Sequence, residues 1–295
     1  MRANRAKPSP RHGAAWQYRR MLDLSLRRVF PLLMCLAALA CSAAEPDRDV
    51  PPPVPPAKIT AFTPGLTWDW QLDDPFDYSK DVDVYDLDLE SVEASEIAAL
   101  SVRGIRTICY VSVGTMENYR DDADRFPKRV LGSQLGNWPN ERYLDIRDLD
   151  AVLPIMAARF DRCAQKGFDA VEPDNMDLHH NDPGFPIGAA EQTRYALALA
   201  ELAHARGLAI GQKNAEDLTP SLVDHFDFLI VEHCFASDRC DEGVAYIEAG
   251  KAVFAAEYLH RPVDFEAACA EARSLGLSMI RKDRGLTKDH FEACP

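Results

Sequence analysis

Acid chemistry shows first in the segment FDAVEPDNMDLHH, Phe168–His180, where Asp169, Glu172, Asp174 and Asp177 crowd the end of an apolar run. Carboxylates packed this closely raise one another's pKa and resist burial, so a chain that needed only stability would have little use for them. Another acid, Glu232, ends the apolar run DFLIVEH. Two carboxyl groups facing one substrate can open a glycosidic bond. One protonates the departing oxygen while the other attacks the anomeric carbon or activates water. Asp174 and Glu232 are the candidate pair. Lys213, at the end of a third run, would keep Asp174 ionised. Asp174 therefore reads as nucleophile or base and Glu232 as general acid, with the reverse assignment also open. The plainer reading makes any one of these acids a helix cap or an ion-pair partner of Lys213 or Arg281.

Such a pair works only if distant segments converge. Eight short apolar runs read as strands: TWDWQL from Thr67, VDVYDL from Val82, TICYVSV from Thr107 and FDAVEPD from Phe168, then LAIGQK from Leu208, DFLIVEH from Asp227, AVFAAEY from Ala252 and LSMIRK from Leu277. Amphipathic stretches at 91–102, 151–166, 191–206, 220–224, 241–249 and 264–275 read as helices, several closed by a glycine such as Gly167 or Gly276. This alternation predicts an α/β fold with a parallel sheet, and eight strands close a (β/α)8 TIM barrel, here a single domain over residues 58–295. An open doubly wound sheet is the other candidate, but no strand leads into GxGxxG or GxxxxGK[ST]. The irregular insertion at 114–150 is expected to help build the active face.

In a barrel the C-terminal strand ends share one mouth. They offer Trp68, Asp69 and Trp70, then Asp86, Tyr110, Glu172 and Asn175, then Lys213 and Asn214, and finally Glu257 and Tyr258; Asp177 and Tyr143 stand nearby. Aromatic faces among acids and amides suit a sugar. Trp68, Trp70 and Tyr110 are candidate stacking platforms, and Asp69, Asp86 and Tyr143 candidate partners of hydroxyls or an amino group. A metal-dependent hydrolase built on His179, His180, Asp174 and Asp177 is an alternative. However, neighbouring histidines point apart on a regular element, and no HxH or HExxH spacing occurs. No cofactor or metal is expected. A further alternative is a surface lipoprotein that binds polysaccharide on the same barrel without cutting it.

The 295 residues are 47% hydrophobic and 27% charged, an ordinary globular balance, with a net charge of −14. Arg27 and Arg28 precede the apolar run 29–40, too short for a comfortable membrane span but of signal-peptide length. Residues 1–41 therefore read as an N-terminal extension and leader, with Met21 the better start. Cys41 invites either lipidation or ordinary cleavage beside it. Residues 42–57 form a Pro-rich tether. Export follows, to a secreted or lipid-anchored position at the cell surface or periplasm, with a lipid on Cys41 the only expected membrane attachment. Losing residues 1–41 would remove eight of the 33 basic residues and one of the 47 acidic ones, leaving a more acidic chain. Such a surface repels nucleic acid and favours a cationic partner. Six cysteines remain beyond the leader, an even number that permits up to three disulfides in an oxidising compartment.

DAVEPDNMD, IVEHCFASDRC and KAVFAAEY, together with TWDWQL, VYDLDL, CYVSVGTMENYR, NWPNERYLDIR and IGQKN, resemble glycoside hydrolase family 114, the endo-alpha-1,4-polygalactosaminidases. The resemblance runs in order from Thr67 to about Lys282. It implies a TIM barrel that cleaves galactosamine-containing polysaccharide, a cationic substrate, with Asp174 and Glu232 as the catalytic acids. It also implies a disulfide between Cys234 and Cys240. One departure stands beside Glu232: VEHCF replaces an expected Asn-Glu-Gln-Cys run, so Val231 and His233 take the place of polar neighbours.

Overall fold

The computed structural model describes residues 59–295; the expected leader, lipidation site and tether lie outside them. The chain begins with β1 (Trp68–Gln71), β2 (Val84–Asp88), α1 (Ala94–Val102) and β3 (Arg106–Ser112). An excursion through β4 (Thr115–Glu117), β5 (Leu131–Leu135) and β6 (Trp138–Leu144) precedes α2 (Leu149–Lys166) and β7 (Ala170–Asp174). Then come α3 (Ala189–His204), β8 (Ala209–Lys213), α4 (Thr219–Leu222), β9 (Phe228–Glu232), α5 (Val244–Glu248) and β10 (Val253–Tyr258). The order ends with α6 (Phe265–Leu275), β11 (Ser278–Lys282) and β12 (Phe291–Ala293).

Strands β1, β2, β3, β7, β8, β9, β10 and β11 lie side by side in that order, all parallel, and β12 joins antiparallel to β11. The nine strands curl into a nearly closed barrel of the (β/α)8 type. All eight expected strands and all six expected helices are present. Two features depart from the expected pattern. The excursion folds into its own antiparallel sheet, in the order β4-β6-β5, and β12 stands where an eighth helix would follow.

Side-chain alternation explains why the sheet closes. Trp68, Trp70, Val84, Ile108, Ala170, Phe228, Ile230, Phe254, Ala256 and Ile280 point inward and form one buried cluster. Their neighbours Tyr85, Leu87, Cys109, Val111, Val171, Ile210, Leu229 and Met279 point outward and pack under the helices. Interior volume is shared tightly. A Cβ on Gly211 would come within 2.4 Å of the Phe228 ring, so β8 carries glycine where β9 carries its largest residue.

The longest helix, α2, shows how local signals place an element. Asp148 caps it by accepting from Ala151 N, and Gly167 ends it in the left-handed conformation at φ 92°. Val152, Ile155, Met156, Phe160 and Cys163 recur on its buried face. Truncating fully buried Phe160 to alanine should cost about 3–5 kcal/mol. Three disulfides add covalent ties: Cys109–Cys163 between β3 and α2, Cys234–Cys240 beyond β9, and Cys269–Cys294 between α6 and the last residues.

Between β1 and β11 no backbone ladder forms among the described residues. Side chains bridge that seam: Trp68 Nε1 donates to Ser278 O at 3.0 Å, and Lys282 Nζ meets Asp69 at 2.7 Å.

Candidate active site

At the C-terminal strand ends the barrel opens into a cleft of about 890 Å³. Its centre is Lys213, the last residue of β8. The ammonium lies 2.7 Å from Glu172 Oε1, 2.8 Å from Asp174 Oδ1 and 3.4 Å from Glu232 Oε2, and 4.6 Å above the Trp70 ring. One Asp174 oxygen and one Glu232 oxygen thus sit on the same cation, which holds those two atoms within roughly 6 Å of each other.

Each acid is oriented by its own donors. Asp174 Oδ2 accepts from Tyr110 Oη at 2.9 Å and Asn175 Nδ2 at 3.1 Å. Glu232 Oε1 accepts from Tyr258 Oη at 2.6 Å and Oε2 from Asn214 Nδ2 at 3.0 Å, while Asn214 Oδ1 receives the Glu232 amide. The backbone turns sharply right after each strand. Asn175, Asn214 and His233 adopt φ of 63°, 47° and 56° immediately beyond β7, β8 and β9. Asparagine and histidine are among the side chains that enter this region most readily, so the turns that expose the ends of these three strands are encoded locally.

Electrostatics separates the acids by depth. Burial pushes the Glu232 carboxyl up, but the Lys213 ammonium and the donors Tyr258 and Asn214 more than offset it and hold it at about 2. Lys213 feels the converse: burial alone would lower it, yet Asp174, Glu172 and Glu232 together raise it well above its usual value. Below this tier lies Asp86, wholly buried, with no donor to either oxygen; Glu172 Oε2 is equally bare. Burial and the facing Glu172 charge drive Asp86 well up, and Glu172 itself is pushed up to about 7, chiefly by burial and partly offset by Lys213. Both carboxyls are thus pushed towards the neutral form, Glu172 less so because Lys213 donates to its Oε1.

Of the residues expected at the mouth, Asp174, Glu232, Trp70, Tyr110, Asn175, Asp177, Lys213, Asn214 and Tyr258 line the cleft. The others are elsewhere. Asp86 and Glu172 lie beneath the cleft and support it without reaching it. Trp68 is sealed in the barrel and is no sugar platform. Asp69 points outward, held by Trp70 N, Gln71 Nε2 and Lys282, as part of the seam. Glu257 also points outward, accepting from Phe235 N and Ala236 N under the Cys234–Cys240 loop. Strand parity explains these errors: consecutive residues cannot share a face, so beside inward Trp70 and Tyr258, Asp69 and Glu257 must face out. Tyr143 sits in the core beneath the small sheet.

The excursion supplies one wall of the cleft, as the insertion at 114–150 was expected to, but sequence reasoning did not name the side chains that form it. Trp138 and Tyr119, 47% and 59% exposed, both line the cleft. Arg120 fixes this wall to the barrel by pairing with Asp88 at the end of β2 and Glu117 on β4. Opposite, Arg284 lies 5.2 Å from the Trp138 ring centroid. The exposed tryptophan of NWPN, in a turn-rich segment with no core pattern, was the available signal.

A parallel barrel whose mouth holds two facing carboxylates places the protein in the class of TIM-barrel glycosidases. The model of glycoside hydrolase family GH114 matches residues 51–295, and the chain belongs to that family. The crystal structure of Aspergillus fumigatus Ega3 in complex with galactosamine is similar, with a TM-score of 0.77 and 34% identity over 81% of this chain and 98% of that one. The glycoside hydrolase domain of PelA from Pseudomonas aeruginosa shares the fold, with a TM-score of 0.59 and 17% identity over 78% of this chain and 98% of that one. An uncharacterized protein of Deinococcus radiodurans is 29% identical over 306 residues, spanning 88% of this chain and 97% of that protein.

Proposed function

We propose that this glycoside hydrolase cleaves galactosamine-containing polysaccharide internally at alpha-1,4 linkages, with Asp174 as nucleophile and Glu232 as general acid and then base. The observation that carries the reading is the shared Lys213 ammonium, which draws both carboxylates to one point of an open cleft. Retaining enzymes hold their two carboxyls about 5–5.5 Å apart and inverting ones about 6.5–9.5 Å. A ceiling of roughly 6 Å on the lysine-facing oxygens supports retention.

The roles follow from the contacts. Lys213 lies closer to Asp174 than to Glu232, so it positions the nucleophile most firmly. Glu232 is ionised in the free cleft, the form it needs to activate water in the second step. Its side chain is still 26% exposed, so a saccharide lying over it removes water and raises its pKa, letting it carry the proton for the first step. Asp174 attacks the anomeric carbon as the glycosidic bond breaks and Glu232 protonates the leaving oxygen. Water activated by Glu232 then releases the sugar from Asp174.

Substrate charge follows from the lining acids. Glu141 and Asp177 face the cleft with no basic partner among the described residues, so they are free to receive an ammonium. The galactosamine of the Ega3 complex belongs to that protein, and its likeness to this one supports an amino-sugar substrate here. Three disulfides fit an oxidising, extracellular location.

Mass spectrometry of products from partially deacetylated galactosaminogalactan tests the reading. Oligosaccharides should appear, retain the anomeric configuration by proton NMR at early times, and vanish in Asp174→Asn. Equal cleavage of the fully N-acetylated polymer would remove the amino-sugar assignment.

A further inference from the structure

A second set of chemically competent side chains stands apart from the hydrolytic pair. Beyond β7 the chain makes a 3-10 turn, Leu178–His180, and beyond β8 another, Glu216–Leu218. The two turns face each other. His179 Nε2 lies 3.2 and 3.0 Å from the two carboxylate oxygens of Asp217, and His180 Nε2 lies 2.9 Å from Oδ1. The imidazole centroids are 3.9 Å apart. One ligand atom from each of the three residues can be chosen so that all lie within 4.8 Å of one another. The expectation that adjacent histidines diverge fails here because the tight turn brings both rings to the same carboxylate. Asp174 is not part of this group; it belongs to Lys213.

We propose that His179, His180 and Asp217 form a binding site for a divalent transition-metal ion, zinc foremost, at the edge of the substrate cleft. Two imidazole nitrogens and one carboxylate oxygen are a donor set of zinc's borderline-soft kind, and three protein ligands leave a coordination position for water or a sugar hydroxyl. The location gives that position a use. His180 lines a side pocket of about 430 Å³ whose wall also includes Glu232, Asn214 and Asp177. An ion held there stands beside the acid that serves the leaving group, on a surface that carries no other cation ligand set among the described residues. The site is a substrate-contacting accessory and takes no part in bond cleavage.

One feature limits its strength. His179 Nδ1 is buried with no acceptor. Metal ligation through Nε2 leaves the ring proton on Nδ1, where it goes unsatisfied. Affinity in the micromolar range is therefore expected, well short of a closed structural zinc site.

The test is isothermal titration of tag-free protein with zinc chloride, comparing the wild type with His180→Ala and Asp217→Asn. Both positions are solvent-exposed and neither side chain bonds to Lys213 or to the three acids around it, and matched thermal melts confirm that folding is intact. His180→Ala removes a ligand outright and Asp217→Asn leaves only a neutral amide oxygen, so each should cost more than the roughly 10–100-fold lost when only a supporting partner of a metal ligand is altered. Cobalt(II) should give the intense visible bands of a four-coordinate ion in the wild type, and these should disappear in either variant. Zinc binding of equal affinity in wild type and in the His180→Ala/Asp217→Asn double variant, or a cobalt spectrum unchanged by the substitutions, would overturn the assignment.

Discussion

Two tiers of carboxylates stand one above the other in this barrel and meet opposite fates. Glu172 and Asp174 share a strand and a face, two residues or roughly 6.5 Å apart. The lower tier, Asp86 with Glu172, is sealed, lacks donors on three of its four oxygens and has its pKa values pushed up by burial. The upper tier, Asp174 with Glu232, is a fifth to a quarter exposed, has a donor on every oxygen and gathers around Lys213. Residue type is the same throughout. Depth and the supply of donors separate the two tiers, and only the upper one meets solvent.

The strongest way to break this contrast is to exchange charge for amide tier by tier. Asp174→Asn and Glu232→Gln should each lower kcat by roughly 10²–10⁴-fold, measured on a soluble galactosamine oligomer, with melting temperature little changed. Asp86→Asn should retain most turnover, since a carboxamide can still donate to Glu172. Loss of activity in Asp86→Asn equal to that in Asp174→Asn would abolish the distinction.

Next in size is Lys213→Met. It leaves three acids without their common cation, and breaking a buried pair from one side costs about 3–5 kcal/mol. Denaturant titration should show that loss together with near-complete inactivation. A stable, active variant would mean that the lysine neither assembles nor charges the upper tier.

Acidity sharpens the comparison further. Glu172 rises from the ordinary 4.5 to about 7 on folding, so its contribution to stability is complete below the unfolded value and is lost as pH climbs through 7. Glu232 falls from 4.5 to about 2, so its contribution is complete above 4.5 and is lost as pH drops towards 2. Calorimetry should place maximal stability in mildly acidic buffer, with a decline on each side. In Asp86→Asn the decline towards alkaline pH should flatten while the acid-side decline persists. Identical pH profiles in wild type and variant would show that the lower tier does not set the alkaline decline.

The smallest expected effect lies on the excursion wall. Trp138→Ala should raise KM by a few fold and leave kcat nearly unchanged, because stacking an aromatic contributes about 0.5–1.5 kcal/mol. Steady-state kinetics on long and short oligomers separates the two, and a change confined to kcat would contradict a binding role.

How much of this could be read from the chain depended on periodicity. The barrel was legible because each strand alternates, as in Phe228, Ile230 and Glu232 against Leu229 and Val231, and because glycines such as Gly167 mark helix ends. The proposed pair, Asp174 and Glu232, stood out for the same reason, each acid closing an apolar run. Alternation also explains the errors: a reading that took every polar residue at a strand end collected Asp69 and Glu257 from the outer face. The small sheet was hidden because LGSQL and WPNERYL carry few β-branched residues and no consistent apolar face, so Trp138 was passed over and Tyr143 misplaced. The convergence of His179 and His180 depends on Asp217 arriving from another loop, which no local pattern announces.

The seam between the first and eighth barrel strands has a consequence for the far end of the chain. Lacking a ladder to β1, β11 is flanked instead by the short β12, which the Cys269–Cys294 bond clamps in place. Shorten the polypeptide before Phe291, or reduce that bond, and a row of amide and carbonyl groups would lie naked on the protein's flank, inviting a second molecule to zip onto it. The short β12 thus acts as a sealing strip over the free edge of β11.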